Sequence, residues 1–313
     1  MLPADALDWL RNVFSACDRA LAGRLSKSPH THEPSLDQLF ISTLQDYPAY
    51  TILPSHTSIW IDTHFLGGRA MFYNWEVADI GMLITFRVKG AFKFSKVVLL
   101  QSKRLYPEEV AADDDLVRTY GVGFARLFPS NEYHAERAKG REFSFGEDSK
   151  YLAIKQDEQI GVIRQYQRQN RIPVYYLLYN PVRLPWRVRV PLIAPVGLDG
   201  NIDFGTRVVR SEVVFRAVEV AGGSPSLAGI NESLSADQDD AMGWPLPDFV
   251  VDHVLMCREG RIIEPMDGEP LYNLFNRRSG PIAAAISITC DLPDEDSLPR
   301  EFGDAVPLPR NDE

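Results

Sequence analysis

The segment KVVLLQSK, residues 96–103, sets the tightest limit on this chain. It is apolar until its last three residues and then turns polar, and its length suits a buried strand. In a strand the side chains alternate with period two, so Gln101 and Lys103 project to the same face. A lysine at the end of an otherwise buried strand is costly unless an acidic partner or a functional cleft receives it. The preceding segment EVADIGMLITFRV, residues 76–88, alternates Ala78, Ile80, Met82, Ile84 and Phe86 with Asp79, Gly81, Leu83 and Thr85, as a strand does. If the two pair through a hairpin over 88–95, Asp79 lies near Gln101 and Lys103. A carboxylate, an amide oxygen and an ammonium then share one edge of a sheet.

The rest of the chain supplies the elements around that pair. Leu7, Leu10, Phe14, Cys17 and Leu21 follow helical spacing and predict an amphipathic helix over 4–25. After a proline-bounded break, Ser35 is read as the cap of a second helix with Leu36, Leu39, Phe40 and Leu44 on one face. Residues 50–73 read as β-rich, 105–149 as a charged, irregular excursion or lid, 150–170 as a helix and IPVYYLLYNP as a buried strand. Further on, EVVFRAVEV reads as a strand, 222–245 as a polar loop, 247–258 as a helix ended by Gly260, and IAAAISITC as a last buried strand. The tail after Asp291 is acidic and proline-containing.

Such a set suits phosphodiester hydrolysis. A carboxylate and carbonyl oxygens can hold Mg²⁺, a hard ion that prefers oxygen, and a lysine can orient water or offset developing charge. The order of helix, strand with Asp, strand with QxK, helix and strand, together with VVLLQSKRLYP, resembles the PD-(D/E)xK nuclease superfamily. The likeness is to its QxK branch, as in Mrr-type restriction endonucleases, and it covers about residues 33–180.

The resemblance implies an α/β, restriction-endonuclease-like core: a mixed central sheet flanked by helices, with an N-terminal helix and an α+β C-terminal extension. The implied division is 1–30 helix and linker, 31–195 nuclease-like core with insertion 105–149, 196–290 extension and 291–313 acidic tail. It implies Asp79, Gln101 and Lys103 as catalytic residues. It makes Asp79 and the Ser102 backbone carbonyl the ligands of Mg²⁺ or Mn²⁺. Glu33 or Asp37 in HTHEPSLDQ fits the family's helical acid. Glu76 joins only if the backbone bulges, since its odd spacing from Asp79 puts it on the other face. Gln156 and Gln159 are auxiliary candidates.

The net charge is −10, but it is unevenly spread. Residues 291–313 carry a net −6, whereas residues 150–210 carry a net +6. Arg183, Arg187 and Arg189 in that basic segment, and Arg104 beside Lys103, are candidate phosphate contacts, with Trp186 read as packing. DNA, or RNA, is the expected partner, in restriction-type or anti-phage defence controlled by a regulatory protein or by homo-oligomer assembly. Two other functions stay open. One is a nuclease-fold protein that binds nucleic acid or a partner without cutting. The other is a transition-metal enzyme built on His30, His32 and Glu33. Cys17, Cys257 and Cys290 lack metal or disulfide spacing and read as buried hydrophobes. No apolar run is long enough to span a membrane and MLPADALDW lacks a signal pattern, so a cytoplasmic, membrane-free setting is expected.

Overall fold

In the computed structural model the described residues are 1–65, 77–111, 141–154, 158–190, 194–196, 202–235, 242–263, 274–275 and 281–299. Helix α1 (Ala4–Lys27) buries Leu10, Phe14, Cys17, Leu21 and Leu25, with Asp5 in its first turn and Arg24 and Lys27 in its last, as the helix dipole favours. Helix α2 (Glu33–Gln45) packs beside it, Phe14 meeting Phe40 edge to face at 6.2 Å. This helix begins before Ser35. His32 is the N-cap and Pro34 sits in the first turn, where its missing N–H costs nothing. The earlier start places Glu33 and Asp37 one turn apart on the same helical face.

The strands β1 (Tyr50–Ile52), β2 (Ser58–Phe65), β3 (Ala78–Val88), β4 (Ala91–Arg104), β7 (Val174–Tyr179), β12 (Arg207–Arg210), β13 (Trp244–Pro245), β14 (Arg261–Ile263) and β15 (Ile282–Leu292) form one mixed sheet. Its order is β1-β2-β15-β3-β4-β7-β12-β13, with β14 added on β4. β3 and β4 are an antiparallel hairpin, as the alternation predicts. Its loop is shorter than the predicted 88–95: Lys89 and Gly90 alone turn the chain, with φ of 50° and 82°. Positive φ at both central positions is the type I′ turn that matches strand twist. β4 then crosses through helix α3 (Glu158–Asn170) into β7, which pairs parallel to it from Leu99↔Val174 to Arg104↔Tyr179. With two strands intervening before β3 and two before α3, the chain keeps α2, β3, β4, α3 and β7 in the helix-and-strand order that the sequence predicts.

Several elements differ from the sequence reading. EVVFRAVEV lies in helix α4 (Ser211–Ala221), which buries Val213, Val214, Ala217 and Val218 on a 3-4 spacing. β-branched residues favour strands only weakly, and packing overrides them. Helix α5 (Leu227–Ser235) occupies the predicted polar loop. Residues 150–154, predicted as the start of α3, are not helical, and the predicted 247–258 helix is a short α-turn continued by a π-helical stretch, Phe249–Leu255. Both ends of the 105–149 excursion are strands: β5 (Glu108–Ala111) and β6 (Arg141–Phe145) pair with each other. With β9 (Trp186–Val190) and β10 (Ala194–Val196) they make a second, four-stranded sheet, burying Phe143, Phe145 and Val188. A further pair joins β8 (Arg183–Leu184) to β11 (Ile202–Asp203).

IAAAISITC is β15, and it is central rather than peripheral. It lies between β2 and β3, antiparallel to the first and parallel to the second, with Ile286 opposite Thr63 and Met82. Residues 207–292 thus complete the same sheet as residues 50–104. Helices cover both faces. Ser102 and Tyr179 face α2, whereas Gln101 and Tyr176 face α3 and α4. Cys17, Cys257 and Cys290 are all buried thiols, and burial pushes Cys17 and Cys290 up to about 12. No described helix is long and apolar enough to cross a membrane.

Candidate functional site

The register Ile80↔Leu100 brings Asp79, one residue before Ile80, to the level of Gln101, one residue after Leu100. There the Asp79 carboxylate accepts on Oδ2 from the Ser102 backbone N–H at 2.7 Å, from Ser102 Oγ at 2.9 Å and from Gln101 Nε2. Gln101 is itself held, its Oε1 accepting from Gln159 Nε2 of α3 at 3.2 Å.

The start of α2 closes the other side. Glu33 Oε1 accepts from the Arg104 N–H at 3.1 Å, and Glu33 Oε2 lies 3.7 Å from Lys103 Nζ. Asp37, one turn on, has its Oδ2 2.9 Å from Ser102 Oγ and accepts from the Tyr179 phenol at 2.6 Å on Oδ1. Lys103 is only 6% exposed, so the ammonium needs the partner that Glu33 supplies. The carboxylate that pairs with Lys103 comes from helix α2, not from the neighbouring strand.

Three acids thus converge from α2 and β3, and their electrostatics reflect it. Burial pushes the Glu33 carboxyl above the ordinary range, partly offset by the Lys103 ammonium. Asp37 is pushed up strongly, by burial first and then by the Asp79 charge. Burial and the adjoining Asp37 likewise raise the Tyr179 phenol. The hydrogen count agrees. Ser102 Oγ has one hydrogen and two carboxylate neighbours, so a protonated Asp37 gives every contact a donor.

The donors are oxygens with excess negative charge, which suits a hard divalent cation. Mg²⁺ typically keeps several waters and takes one or two carboxylates. Among the described residues, no group of three or more His, Cys, Asp or Glu side chains is arranged to hold a metal ion. The donors that the site does offer are oxygens, the type that a hard cation such as Mg²⁺ or Mn²⁺ prefers. His30 stands edge-on to Phe143 at 4.6 Å, and His32 is the cap of α2.

Arg104 is buried, its guanidinium 3.7 Å over the Tyr106 ring and donating to the Pro29 carbonyl rather than facing solvent. Arg183 is exposed and donates to Asp203 at 2.9 Å. Arg187 lies 3.9 Å from Glu142, and Arg189 is in β9 opposite Glu142, its side chain outside the described residues. Trp186 packs, its Nε1 donating to the Ser26 carbonyl at 3.0 Å. Glu76 and Gln156 lie outside the described residues. Sequence reasoning missed Tyr179 and the Ser102 side chain. Only the parallel pairing of β7 with β4 puts Tyr179 beside Arg104, and no local pattern signals that contact.

The chain matches no protein-family model, no curated protein and no solved structure with which it was compared.

Proposed function

We propose that this site hydrolyses phosphodiester bonds with a divalent cation, and that the protein is an endonuclease acting on DNA. The observation that carries the reading is the meeting of Asp79, Gln101 and Lys103 with Glu33 at one end of β3 and β4. The path α2, β3, β4, α3, β7, with β4 and β7 parallel, supports a restriction-endonuclease-like core. In this chain β15 is inserted between β2 and β3.

Asp79 and the Ser102 carbonyl would hold the cation, which when bound supplies an activated water and offsets charge on the phosphate oxygens. Gln101, anchored by Gln159, fixes the orientation of Asp79. Lys103 presents its ammonium to the charge that develops on the phosphate, and Glu33 holds that ammonium at the strand end.

A second reading, a binder that does not cut, is favoured by the uncharged Gln101 where a carboxylate would strengthen metal binding and by the net charge of −10. Plasmid cleavage with Mg²⁺ or Mn²⁺ separates the two. Wild type should cut, and Asp79→Ala and Lys103→Ala should each lose about 100-fold or more while still binding DNA. DNA binding by wild type with no cleavage under either cation would select the binder.

A further inference from the structure

The middle residue of the QSK triplet needs only its backbone for the role assigned above, yet its side chain makes two of the site's contacts. Ser102 Oγ lies 2.9 Å from Asp37 Oδ2 and 2.9 Å from Asp79 Oδ2, joining a helix carboxylate to a strand carboxylate. Tyr179 reaches Asp37 from β7 at 2.6 Å and fixes its other oxygen. The Ser102 hydroxyl is therefore what joins the α2 acid to the Asp79 carboxylate on the strand. Resting on the phosphodiesterase reading, we infer that Ser102 and Tyr179 are positioning residues. The Tyr179 phenol and Ser102 hydroxyl hold Asp37 and Asp79 together as one acidic pair that receives the divalent cation.

Ser102→Ala removes the hydroxyl and keeps the backbone N–H that Asp79 uses. Tyr179→Phe removes the phenol hydroxyl alone. Mn²⁺ affinity, read by electron paramagnetic resonance on the full chain, should fall about tenfold in each, the usual loss when a group supporting a ligand is removed. Ser102→Thr should restore it. Tyr151→Phe is the control: it also deletes a buried phenol, one bonded to Asn180 at 2.7 Å, and it should leave Mn²⁺ affinity unchanged. DNA affinity without metal should be the same in all of them.

If Ser102→Ala and Tyr179→Phe bind Mn²⁺ within twofold of wild type while Asp79→Ala does not, the relay is wrong and the phosphodiesterase reading stands. A Tyr151→Phe loss equal to that of Tyr179→Phe also overturns the relay, since any buried phenol would then matter. Wild type that binds no Mn²⁺ removes both.

Discussion

Tyr179 donates its phenol hydrogen to Asp37 at 2.6 Å, across 142 positions of sequence. That bond ties β7 to the helix that opens the site. It also commits one oxygen of Asp37, while the other faces Ser102. Asp37 is therefore an acid held by donors in a place that disfavours its charge.

Stability should depend on pH through Asp37. Its carboxyl is pushed well above the ordinary 3.8, by burial and then by Asp79. Above 3.8 the unfolded chain gives up this proton while the folded chain keeps it. The folded state then binds more protons, and stability declines as pH rises from 3.8 towards the folded value. Asp37→Asn has no such proton to lose and still accepts from Tyr179. Thermal midpoints measured from roughly pH 4 to 8 should shift steadily in favour of the variant as pH rises. A constant difference across the range would show that Asp37 ionises normally.

The Glu33–Lys103 pair should couple. Breaking a fully buried pair costs about 3–5 kcal/mol, and the 3.7 Å separation and 18% exposure of Glu33 lower that to about 1–3 kcal/mol for Glu33→Gln. Lys103→Met should cost less than Glu33→Gln, because Glu33 keeps the Arg104 N–H and its raised carboxyl can take up a proton, whereas Glu33→Gln strands a buried ammonium. In a urea double-mutant cycle the coupling should be about 1 kcal/mol. Additive losses would mean that the two side chains do not depend on each other.

How much of this was legible in sequence follows from the range of each interaction. Alternation along β3 and the polar end of β4 gave the hairpin, because both signals are local. Glu33 and Asp37 were visible as acids, but the start of α2 at Glu33 rested on Pro34 fitting a first turn. The Tyr179 contact was hidden, since it depends on which strands are neighbours. The place of β15 was hidden for the same reason: IAAAISITC reads as buried, and nothing in those residues says between which strands. In α4, branched residues pulled the reading towards a strand, and the buried 3-4 stripe prevailed in the fold.

The central place of β15 predicts that no fragment ending at residue 195 folds. Such a chain lacks β12, β13, β14 and β15, and losing β15 leaves β2 and β3 without their shared neighbour. The buried edges would expose unpaired backbone groups and the apolar faces of Ile80, Met82 and Ile84. The fragment should aggregate or give an amide spectrum without dispersion. A soluble, dispersed 1–195 fragment would show that the first half carries its own core. Within the full chain, Ile286→Ala should cost about 2–5 kcal/mol, as for other fully buried aliphatics.

The corner at Glu259 and Gly260 gives the last test. Glu259 accepts from Tyr175 at 2.6 Å and from Arg210, while its carbonyl receives the Lys96 ammonium. Gly260 donates its N–H to Tyr175 at 3.2 Å with φ of +88°. A Cβ at Gly260 would stand 2.7 Å from Val98 Cγ1 and 3.1 Å from the Val97 carbonyl, both on β4. Gly260→Ala therefore carries both the left-handed penalty and a clash, and should cost about 2–4 kcal/mol in urea unfolding. Gly222 separates the two effects, because it ends α4 at φ +60° and a Cβ added there would meet nothing within 4 Å. Gly222→Ala should cost only about 1 kcal/mol. Equal costs at the two glycines would mean that β14 yields freely. The larger cost at Gly260 would place a rigid contact on the same strand that carries Gln101, Ser102 and Lys103.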